Sequence, residues 1–330
     1  MKTKWIRLLA LMLVLILSVG VLVACDEDGK KPKPNDDSKI KVALIMEGSV
    51  SDMSWNATAF EGLKKIEALG AQVGHTERTP VSDAATAIRT YADDGYDVIF
   101  MSTSSYSDIV LQEAPKYPDV HFFVINAIIS AENVRSFGVQ DAQQGYLMGA
   151  LAALLTKSGT VGFIGGLEIA PILNGAKGFE QGVKYVDSDI KIISQNTGSM
   201  QDVSAAKELG KAFVSQGVDV LCPMANQAAL GVMEAAEETG VLAIGSGENQ
   251  ETVAPNAAVV AVMKDTSFAY EAAYKSFLAG EMPMEVLPMG AAQGVVFVGD
   301  YYMEVDQAIK DQIDAIQEKL VSGEITINLG

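Results

Sequence analysis

The chain has 330 residues, of which 49% are hydrophobic and 20% are charged, and its formal net charge is −18 at pH 7. Nucleic acid and anionic membrane faces repel so acidic a chain, so neither is an expected partner. Its two histidines, His75 and His121, are next to neither a cysteine nor a carboxylate cluster, so the sequence offers no metal site and no Ser-His-Asp triad. We therefore expect no catalytic residue and no cofactor.

The first 25 residues have the parts of a secretory signal peptide, predicted here over residues 1–24. Residues 1–4 are basic, residues 8–23 are apolar, and the run Leu22-Val23-Ala24-Cys25 ends the segment. This run resembles the bacterial lipobox, and the resemblance implies cleavage before Cys25 and a diacylglycerol on its sulfur. The acyl chains would hold the protein on the extracytoplasmic face of the cell membrane. An uncleaved anchor and a spurious cysteine are the alternatives.

The segment after Cys25 differs from the rest of the chain in composition. Residues 26–39 contain no apolar side chain and two prolines, so residues 25–39 are expected to be a lipidated cysteine followed by a disordered tether. The remaining residues, about 290, are many for one core and suit two lobes. Cys222 is the only cysteine among them, which excludes a disulfide inside the folded part, and we expect it to be buried in an apolar run.

From residue 40 onward, short apolar runs alternate with segments in which apolar residues recur at helical spacing. The first series predicts strands at 40–46, 72–76, 98–102, 121–126 and 134–139, with helices at 59–69, 83–93 and 107–114. A helix at 140–155 leads into the second series. That series predicts strands at 160–164, 191–196, 218–222, 241–244, 259–263 and 294–298, with helices at 176–186, 203–216, 228–239, 266–279 and 306–322.

This alternation is the βαβ pattern of parallel sheets that are covered by helices. We predict an α/β fold with two doubly wound parallel-sheet lobes. Lobe 1 takes residues 40–139 plus about 265–293, and lobe 2 takes residues 140–264 plus about 294–330. The helix at 266–279 would then return to lobe 1, and the C-terminal helix would belong to lobe 2.

The helix at 140–155 is rich in small residues. Asp141, Gln143 and Gln144 interrupt its apolar pattern, so it is too short and too polar to span a bilayer. Gly145 and Gly149 permit the close approach of a neighbouring segment.

A polar loop at residues 47–56 follows the first predicted strand and precedes the first predicted helix. Ligands bind at such a position in open α/β sheets, because unpaired backbone N–H groups and the helix dipole converge there. Asp52, Ser54, Trp55 and Asn56 offer an acceptor, a hydroxyl, a flat apolar face and an amide, a set that suits a flat polar ligand. The alternative is that Asp52 or Ser54 caps the helix and that Trp55 fills the core.

The run DMSWN at residues 52–56 resembles the D-x-S-[FW]-N signature of the basic membrane protein (Bmp) family. Members of that family are lipoprotein substrate-binding components of ABC importers, and many bind purine nucleosides. Further matches follow in the family's order, namely YPDV at 117–120, GYLMG at 145–149, TKSGTVGFIGG at 156–166 and QGVDV at 216–220. The resemblance implies two lobes of the periplasmic-binding-protein type I kind, three hinge crossings and a ligand clasped between the lobes.

Carried over position by position, the resemblance implies that Asp52 and Asn56 hydrogen-bond the ligand and that Trp55 stacks on it or walls the site. The other residues that it implies are Tyr106, Asp141, Asn226 and Lys264. Each role has a structural alternative: core packing for Trp55, an N-cap for Asp141, a turn for Asn226 and a surface salt bridge for Lys264.

Three positions depart from the family's pattern. Nucleoside-binding members carry G-V-D-x-D-Q after the strand at 241–244, and the first Asp of that run grips the ribose diol. Here the run is GSGENQ at 245–250, with Gly247 in place of that Asp and with Glu248 and Asn249 as candidates to replace it. Gly175 and Ser104 stand where the family often has aromatic residues. A charged hydrogen bond contributes roughly 1.5–3 kcal/mol, so its loss lowers affinity about tenfold or more unless the ligand lacks the diol.

The sequence therefore predicts a binding lipoprotein of an ABC importer that clasps a purine nucleoside or nucleobase and delivers it to a membrane permease. The alternative is a lipoprotein of the same fold for another small polar ligand such as a sugar, including a signalling receptor. A surface enzyme is a third hypothesis, but the sequence has no nucleophile–base pair, metal cluster or phosphate loop to support it.

Overall fold

The computed structural model describes residues 39–282 and 284–330. The predicted signal peptide, Cys25 and residues 26–38 of the predicted tether lie outside the described residues.

The described chain alternates strands and helices from its start. The first elements are β1 (Lys41–Ile45), α1 (Trp55–Ala68), β2 (Gln72–Thr76), α2 (Val81–Asp93), β3 (Val98–Met101), α3 (Ser107–Glu113), β4 (His121–Ile125), β5 (Val134–Val139) and α4 (Asp141–Leu155). They are followed by β6 (Thr160–Gly165), α5 (Ala170–Val186), β7 (Lys191–Asn196), α6 (Val203–Ser215), β8 (Val220–Met224), α7 (Ala229–Thr239) and β9 (Leu242–Gly245). The last elements are β10 (Ala258–Lys264), α8 (Ser267–Ala279), β11 (Leu287–Met289), β12 (Val296–Tyr301) and α9 (Gln307–Val321).

The strands form two six-stranded sheets, one in each lobe. Lobe 1 has the strand order β11-β5-β4-β3-β1-β2, and lobe 2 has the order β12-β10-β9-β8-β6-β7. Neighbouring strands are parallel, except that β12 runs antiparallel to β10. The predicted α/β class with two parallel-sheet lobes is confirmed.

Within the described residues the chain passes between the lobes three times, as the fold prediction required. The crossings lie between β5 and α4, between β10 and α8, and between β11 and β12. Helix α8 packs on α1 in lobe 1, where its Tyr270 and Tyr274 are buried in the same apolar cluster as β1 and β3. Helix α9 packs on α4 in lobe 2. Each lobe is thus completed by a helix from the C-terminal part of the chain.

Several elements differ in their bounds from the sequence-based prediction, among them α1, which begins at Trp55 instead of residue 59. Helix α5 begins at Ala170 instead of residue 176, because Pro171 fits the first helical turn, where its missing N–H has no helical partner to lose. Strand β8 ends at Met224 instead of Cys222 and contains Pro223, whose partner in β6 is Ile164. Strand β11 was not predicted, because it has three residues and contains a proline, which a sheet tolerates at an edge such as this one.

Glycines set the distance between α4 and α5. A Cβ built on Gly145 would lie 1.9 Å from the carbonyl oxygen of Gly175, and one built on Gly149 would lie 2.1 Å from that of Phe179. The same holds in the other direction, since a Cβ on Gly178 would lie 2.0 Å from the carbonyl oxygen of Ala142. The close approach predicted for Gly145 and Gly149 is confirmed.

Helix α4 is accordingly an internal element of lobe 2. It has 15 residues, and 12 of them are buried. Across residues 39–282 and 284–330, no helix is both long and apolar enough to cross a membrane.

We expect the substitution Gly149→Ala to lower the free energy of unfolding by about 1–3 kcal/mol, because the added methyl group can be accommodated only by separating two backbones. Urea denaturation of the variant measures this change. Gly74→Ala is the matched control, since the nearest atom to its added Cβ is the hydroxyl of Tyr96 at 2.5 Å, which belongs to a side chain and not to a backbone. Equal losses in the two variants would contradict the glycine-based contact.

Candidate functional site

A cavity of about 230 Å³ lies between the lobes, at the carboxyl ends of strands from both sheets. Its lobe 1 wall comes from residues that follow β1, β3 and β4, and its lobe 2 wall from residues that follow β6, β7 and β8. Lys264, the last residue of β10, lies on the wall at a crossing between the lobes. Small-molecule sites usually measure about 300–1,000 Å³, so this cavity suits a small ligand.

Asp52 organises the loop between β1 and α1. Its Oδ1 accepts hydrogen bonds from the backbone N–H groups of Ser54 (2.9 Å) and Ala57 (3.0 Å). Its Oδ2 accepts from the backbone N–H (3.0 Å) and the side-chain amide (2.7 Å) of Asn56. The backbone N–H groups of Asn56 and Ala57 are among those that the first turn of α1 leaves without helical partners. Asp52 lies on the cavity wall, but its hydrogen bonds are those of a helix cap, which was the alternative to ligand binding.

Asn56 is held in one orientation by the same loop. Its Oδ1 accepts from the backbone N–H of Gly48 at 3.4 Å, while its amide nitrogen donates to Asp52. A Cβ on Gly48 would lie 2.3 Å from that nitrogen, so glycine is what allows the loop to fold this closely over Asn56. The predicted contact of Asn56 with a ligand stays a prediction, although the residue lies on the wall.

Trp55 presents part of its ring to the cavity and is tied to the neighbouring strand. Its indole N–H donates to the carbonyl oxygen of Ser102, just after β3, at 2.7 Å. The Nζ atom of Lys264 lies 4.9 Å from the centroid of the ring, within the range of a cation–π interaction. Trp55 also packs on the lobe 1 core, so the two roles considered for it, wall and core filler, coexist.

Lys264 and Asp141 form an ion pair that joins two crossings of the chain. The Nζ atom of Lys264, at the end of β10, donates to Oδ1 of Asp141, at the start of α4, at 2.5 Å. The side chain of Asn126 donates to the other carboxylate oxygen at 2.8 Å and accepts from the backbone N–H of Val139 at 3.1 Å. Both charged side chains are largely removed from solvent, with exposed fractions of 13% and 3%. The pair therefore fixes Lys264 at the cavity wall.

The structure brings five of the predicted ligand-binding residues to one cavity. They are Asp52, Trp55, Asn56, Asn226 and Lys264. Asn226 lines the cavity with φ = 46°, in the left-handed region that asparagine tolerates.

The other four predicted residues are not among those that line this cavity, so their contact with a ligand stays a prediction. Tyr106 is fully buried, and its hydroxyl donates to the carbonyl oxygen of Thr79 at 2.6 Å. Asp141 acts behind the wall through Lys264 and Asn126. Glu248 and Asn249 are exposed to solvent, because the loop after β9 turns away from the cavity.

Glu47 is a cavity residue that the sequence reasoning missed. It lies two residues after the end of β1, and the rule that ligands bind at the carboxyl ends of strands could have identified it. The hydroxyl of Ser105 donates to its carboxylate. Partial burial raises the pKa of Glu47 above its ordinary value, and the bond from Ser105 opposes that shift.

The two walls differ in chemistry. Lobe 1 contributes hydrogen-bonding groups, among them Glu47, Ser49, Thr103 and Asn126. Lobe 2 contributes the apolar side chains of Leu167, Ile169, Pro171, Ile172 and Met200, together with polar groups near residues 199–201 and 226–227. No local pattern pointed to this apolar wall, because its members are loop and helix-end residues from separate segments.

The three positions that depart from the family's pattern are occupied by small residues for identifiable reasons. A Cβ on Gly175 would lie 2.6 Å from the sulfur of Met224, which fills the space of a side chain there. A Cβ on Gly247 would lie 2.0 Å from the carbonyl oxygen of Met53, in the other lobe. Ser104 is the first residue of a 3₁₀ turn and accepts from the hydroxyl of Ser107. Among the described residues that line the cavity, none is one of these three.

We expect the substitution Asp141→Ala to lower the free energy of unfolding by about 3 kcal/mol, because it leaves the largely buried charge of Lys264 without its partner. Chemical denaturation measures the change. Glu234→Ala, which removes one of the partners of Lys207 on the surface, is the control and should have little effect. Similar stabilities for the two variants would contradict a structural role of the Asp141–Lys264 pair.

Comparison with known proteins agrees with this architecture. A family model described as Bmp, an ABC transporter substrate-binding protein, PnrA-like, matches residues 39–329. Basic membrane protein A of Borreliella burgdorferi is 28% identical over 327 residues, covering 96% of this chain and 95% of that protein. The ABC transporter nucleoside-binding protein BmpA of Lactococcus lactis subsp. cremoris is 31% identical over 253 residues, covering 74% of this chain and 70% of that protein.

A solved structure supports the fold at lower sequence identity. The crystal structure of an ABC transporter solute-binding protein from Aeropyrum pernix K1 has a TM-score of 0.78 and 20% identity, and the match covers 88% of this chain and 94% of that one. The match of the family model covers nearly all of the described residues. The chain therefore belongs to the Bmp family of ABC transporter substrate-binding proteins, which are not enzymes and which bind, outside the cytoplasm, the solutes that the transporter carries.

Proposed function

We propose that this protein binds a purine nucleoside or nucleobase for an ABC importer and delivers it to the membrane permease, and that the acyl chains on Cys25 hold it at the membrane. The observation that carries the ligand assignment is the chemical difference between the two cavity walls. Lobe 1 lines the cavity with hydrogen-bonding groups and Trp55, whereas lobe 2 lines it with a set of apolar side chains beside the polar groups near residues 199–201 and 226–227.

The charges of the site favour a ligand without phosphate groups. Among the described residues on the cavity wall, Glu47, Asp52 and Lys264 carry charge, and the charge of Lys264 is matched by Asp141. A phosphate group would face two carboxylates without an unmatched cation to bind it, and such repulsion is unfavourable in a partly desolvated cavity. A nucleoside or a free base therefore fits better than a nucleotide.

The aliphatic wall favours a ring with an apolar face over a sugar alone. A polyol would place hydroxyl groups against Ile169, Pro171 and Ile172, where they would lose hydrogen bonds to water without replacement. A planar base can turn its edge towards Glu47 and its face towards this wall. The nucleoside-binding relative from Lactococcus lactis supports the same ligand class.

The lipid anchor and the permease follow from the proposed transport role. The lipobox-like run ends at Cys25, outside the described residues, and the tether after it would give the lobes reach from the membrane surface. A ligand that is clasped between the lobes contacts both of them only when they are closed, so closure gives the permease a shape that distinguishes loaded from unloaded protein.

A thermal-shift and calorimetry panel on the full-length chain tests the ligand class. We expect inosine, guanosine or adenosine to raise the melting temperature, since a ligand at 100 times its Kd stabilises the native state by about 2.7 kcal/mol. A response to free purines alone would place recognition in the base and not in the ribose. Binding of hexoses or pentoses with no response to any purine would contradict the proposal, and the corresponding 5′-monophosphates should bind more weakly than the nucleosides.

We expect the substitution Glu47→Gln to weaken the binding of the best nucleoside in the panel about tenfold, because a hydrogen bond to a charged acceptor contributes roughly 1.5–3 kcal/mol. Isothermal titration calorimetry measures the change, and Glu67→Gln, at an exposed position on α1, is the control. Because the pKa of Glu47 is raised, its carboxylate takes up a proton at a higher pH than a free glutamate. Wild-type affinity should therefore fall as the pH is lowered through that pKa, and the Glu47→Gln variant should lack this dependence; an unchanged profile would remove Glu47 from the site.

A further inference from the structure

The seam between the lobes contains a backbone contact at Gly247. A Cβ on this residue would lie 2.0 Å from the carbonyl oxygen and 3.0 Å from the carbonyl carbon of Met53. Gly247 follows β9 in lobe 2, whereas Met53 belongs to the loop between β1 and α1 in lobe 1. Next to this contact, the hydroxyl of Ser54 donates to the carbonyl oxygen of Ser246 at 3.5 Å. The absence of a side chain at residue 247 is thus what lets these two loops touch.

The local backbone of Gly247 does not itself require glycine. Its φ lies outside the left-handed region, in contrast to glycines such as Gly240 (φ = 71°), which ends α7. The requirement for glycine at this position comes from the opposite lobe.

Neither side of the contact can relax by rotating a side chain. On the lobe 2 side, the backbone N–H of Ser246 donates to Oε1 of Gln250 at 2.9 Å, and the carbonyl oxygen of Ser246 accepts from the amide of Gln144 at 3.4 Å. On the lobe 1 side, Met53 has φ = 54° and follows Asp52, which is bound to the first turn of α1. A Cβ at residue 247 would therefore have to move backbone.

We propose that Gly247 is a positioning residue for ligand binding, because its contact with the Met53 carbonyl fixes the cavity-lining loop of lobe 1 against lobe 2. Asp52, Trp55 and Asn56 line the cavity on either side of Met53. A displacement of Met53 is transmitted to them through the hydrogen bonds of the Asp52 cap. Gly247 therefore acts on the ligand through this loop, without touching the ligand itself. This inference rests on the proposed function for its affinity readout.

The affinity of the full-length Gly247→Ala variant for inosine, guanosine and adenosine tests the proposal. We expect at least a tenfold loss relative to wild type, with the melting temperature of the unliganded protein nearly unchanged because the contact lies between the cores. Gly74→Ala is the matched control, since its added Cβ meets the side chain of Tyr96 and not a backbone, in the edge strand β2 of lobe 1, and it should keep wild-type affinity. Wild-type affinity in Gly247→Ala would overturn the proposal.

A second substitution distinguishes an effect of Gly247→Ala that passes through Met53 in lobe 1 from an effect confined to the loop of lobe 2. Glycine at residue 53 accepts φ = 54° without strain and gives the carbonyl room to turn away, so Gly247→Ala/Met53→Gly should bind more tightly than Gly247→Ala alone. If the Met53→Gly change adds a further loss or has no effect in the Gly247→Ala background, Gly247 acts through lobe 2 alone and the proposal fails.

A readout without nucleoside separates this proposal from the proposed function. The backbone N–H groups of Ser54, Asn56 and Ala57 are bonded to Asp52, so hydrogen exchange at these residues reports whether the loop is held. We expect faster exchange there in Gly247→Ala than in wild type, even if no purine binds to the wild-type chain. Unchanged exchange would overturn the contact, while the absence of purine binding together with faster exchange would overturn only the ligand assignment.

Discussion

The ion pair between Lys264 and Asp141 is the interaction on which the geometry of the cleft depends. It joins the end of β10 to the start of α4, two of the places where the chain passes between the lobes. Asn126, from lobe 1, binds the same carboxylate, and the Lys264 ammonium lies over the ring of Trp55. One largely buried carboxylate therefore holds together a strand end, a helix start and two residues of the cavity wall. Such a pair is costly to desolvate, and its value here is that it specifies position.

The two lobes contribute walls of different chemistry to the cavity. The lobe 1 wall is polar and its loop is already rigid, because Asp52 binds the first turn of α1 with both carboxylate oxygens. The lobe 2 wall combines an aliphatic surface with polar groups near residues 199–201 and 226–227. Hydrogen bonds can therefore orient a ligand on lobe 1 before lobe 2 covers its apolar face.

At two places in the structure, glycine residues allow two backbone segments to come into contact because glycine has no side chain. In lobe 2 the glycines of α4 and α5 let two helix backbones touch, which keeps the lobe compact around a helix of small residues. At the seam, Gly247 does the same between a loop of each lobe. In both places the requirement for glycine comes from the backbone of a distant part of the chain that lies against it. The local sequence around the glycine therefore does not explain it.

The sequence by itself determined the α/β fold with two lobes, every described strand except β11, the Bmp family and the presence of a polar loop between β1 and α1. These features depend on local periodicity and on short motifs, which the order of residues records directly. Only the tertiary structure decided which residues form the cavity. Glu47 and the aliphatic wall were missed, and Tyr106, Glu248 and Asn249, which were predicted to bind the ligand, do not line the cavity, because the direction of a loop depends on its packing. Asp141 and Lys264 are 123 residues apart, and no local pattern could have paired them. Residues so far apart in the sequence become partners only when the lobes fold against each other. That arrangement depends on the packing of the whole chain and not on any short segment of it.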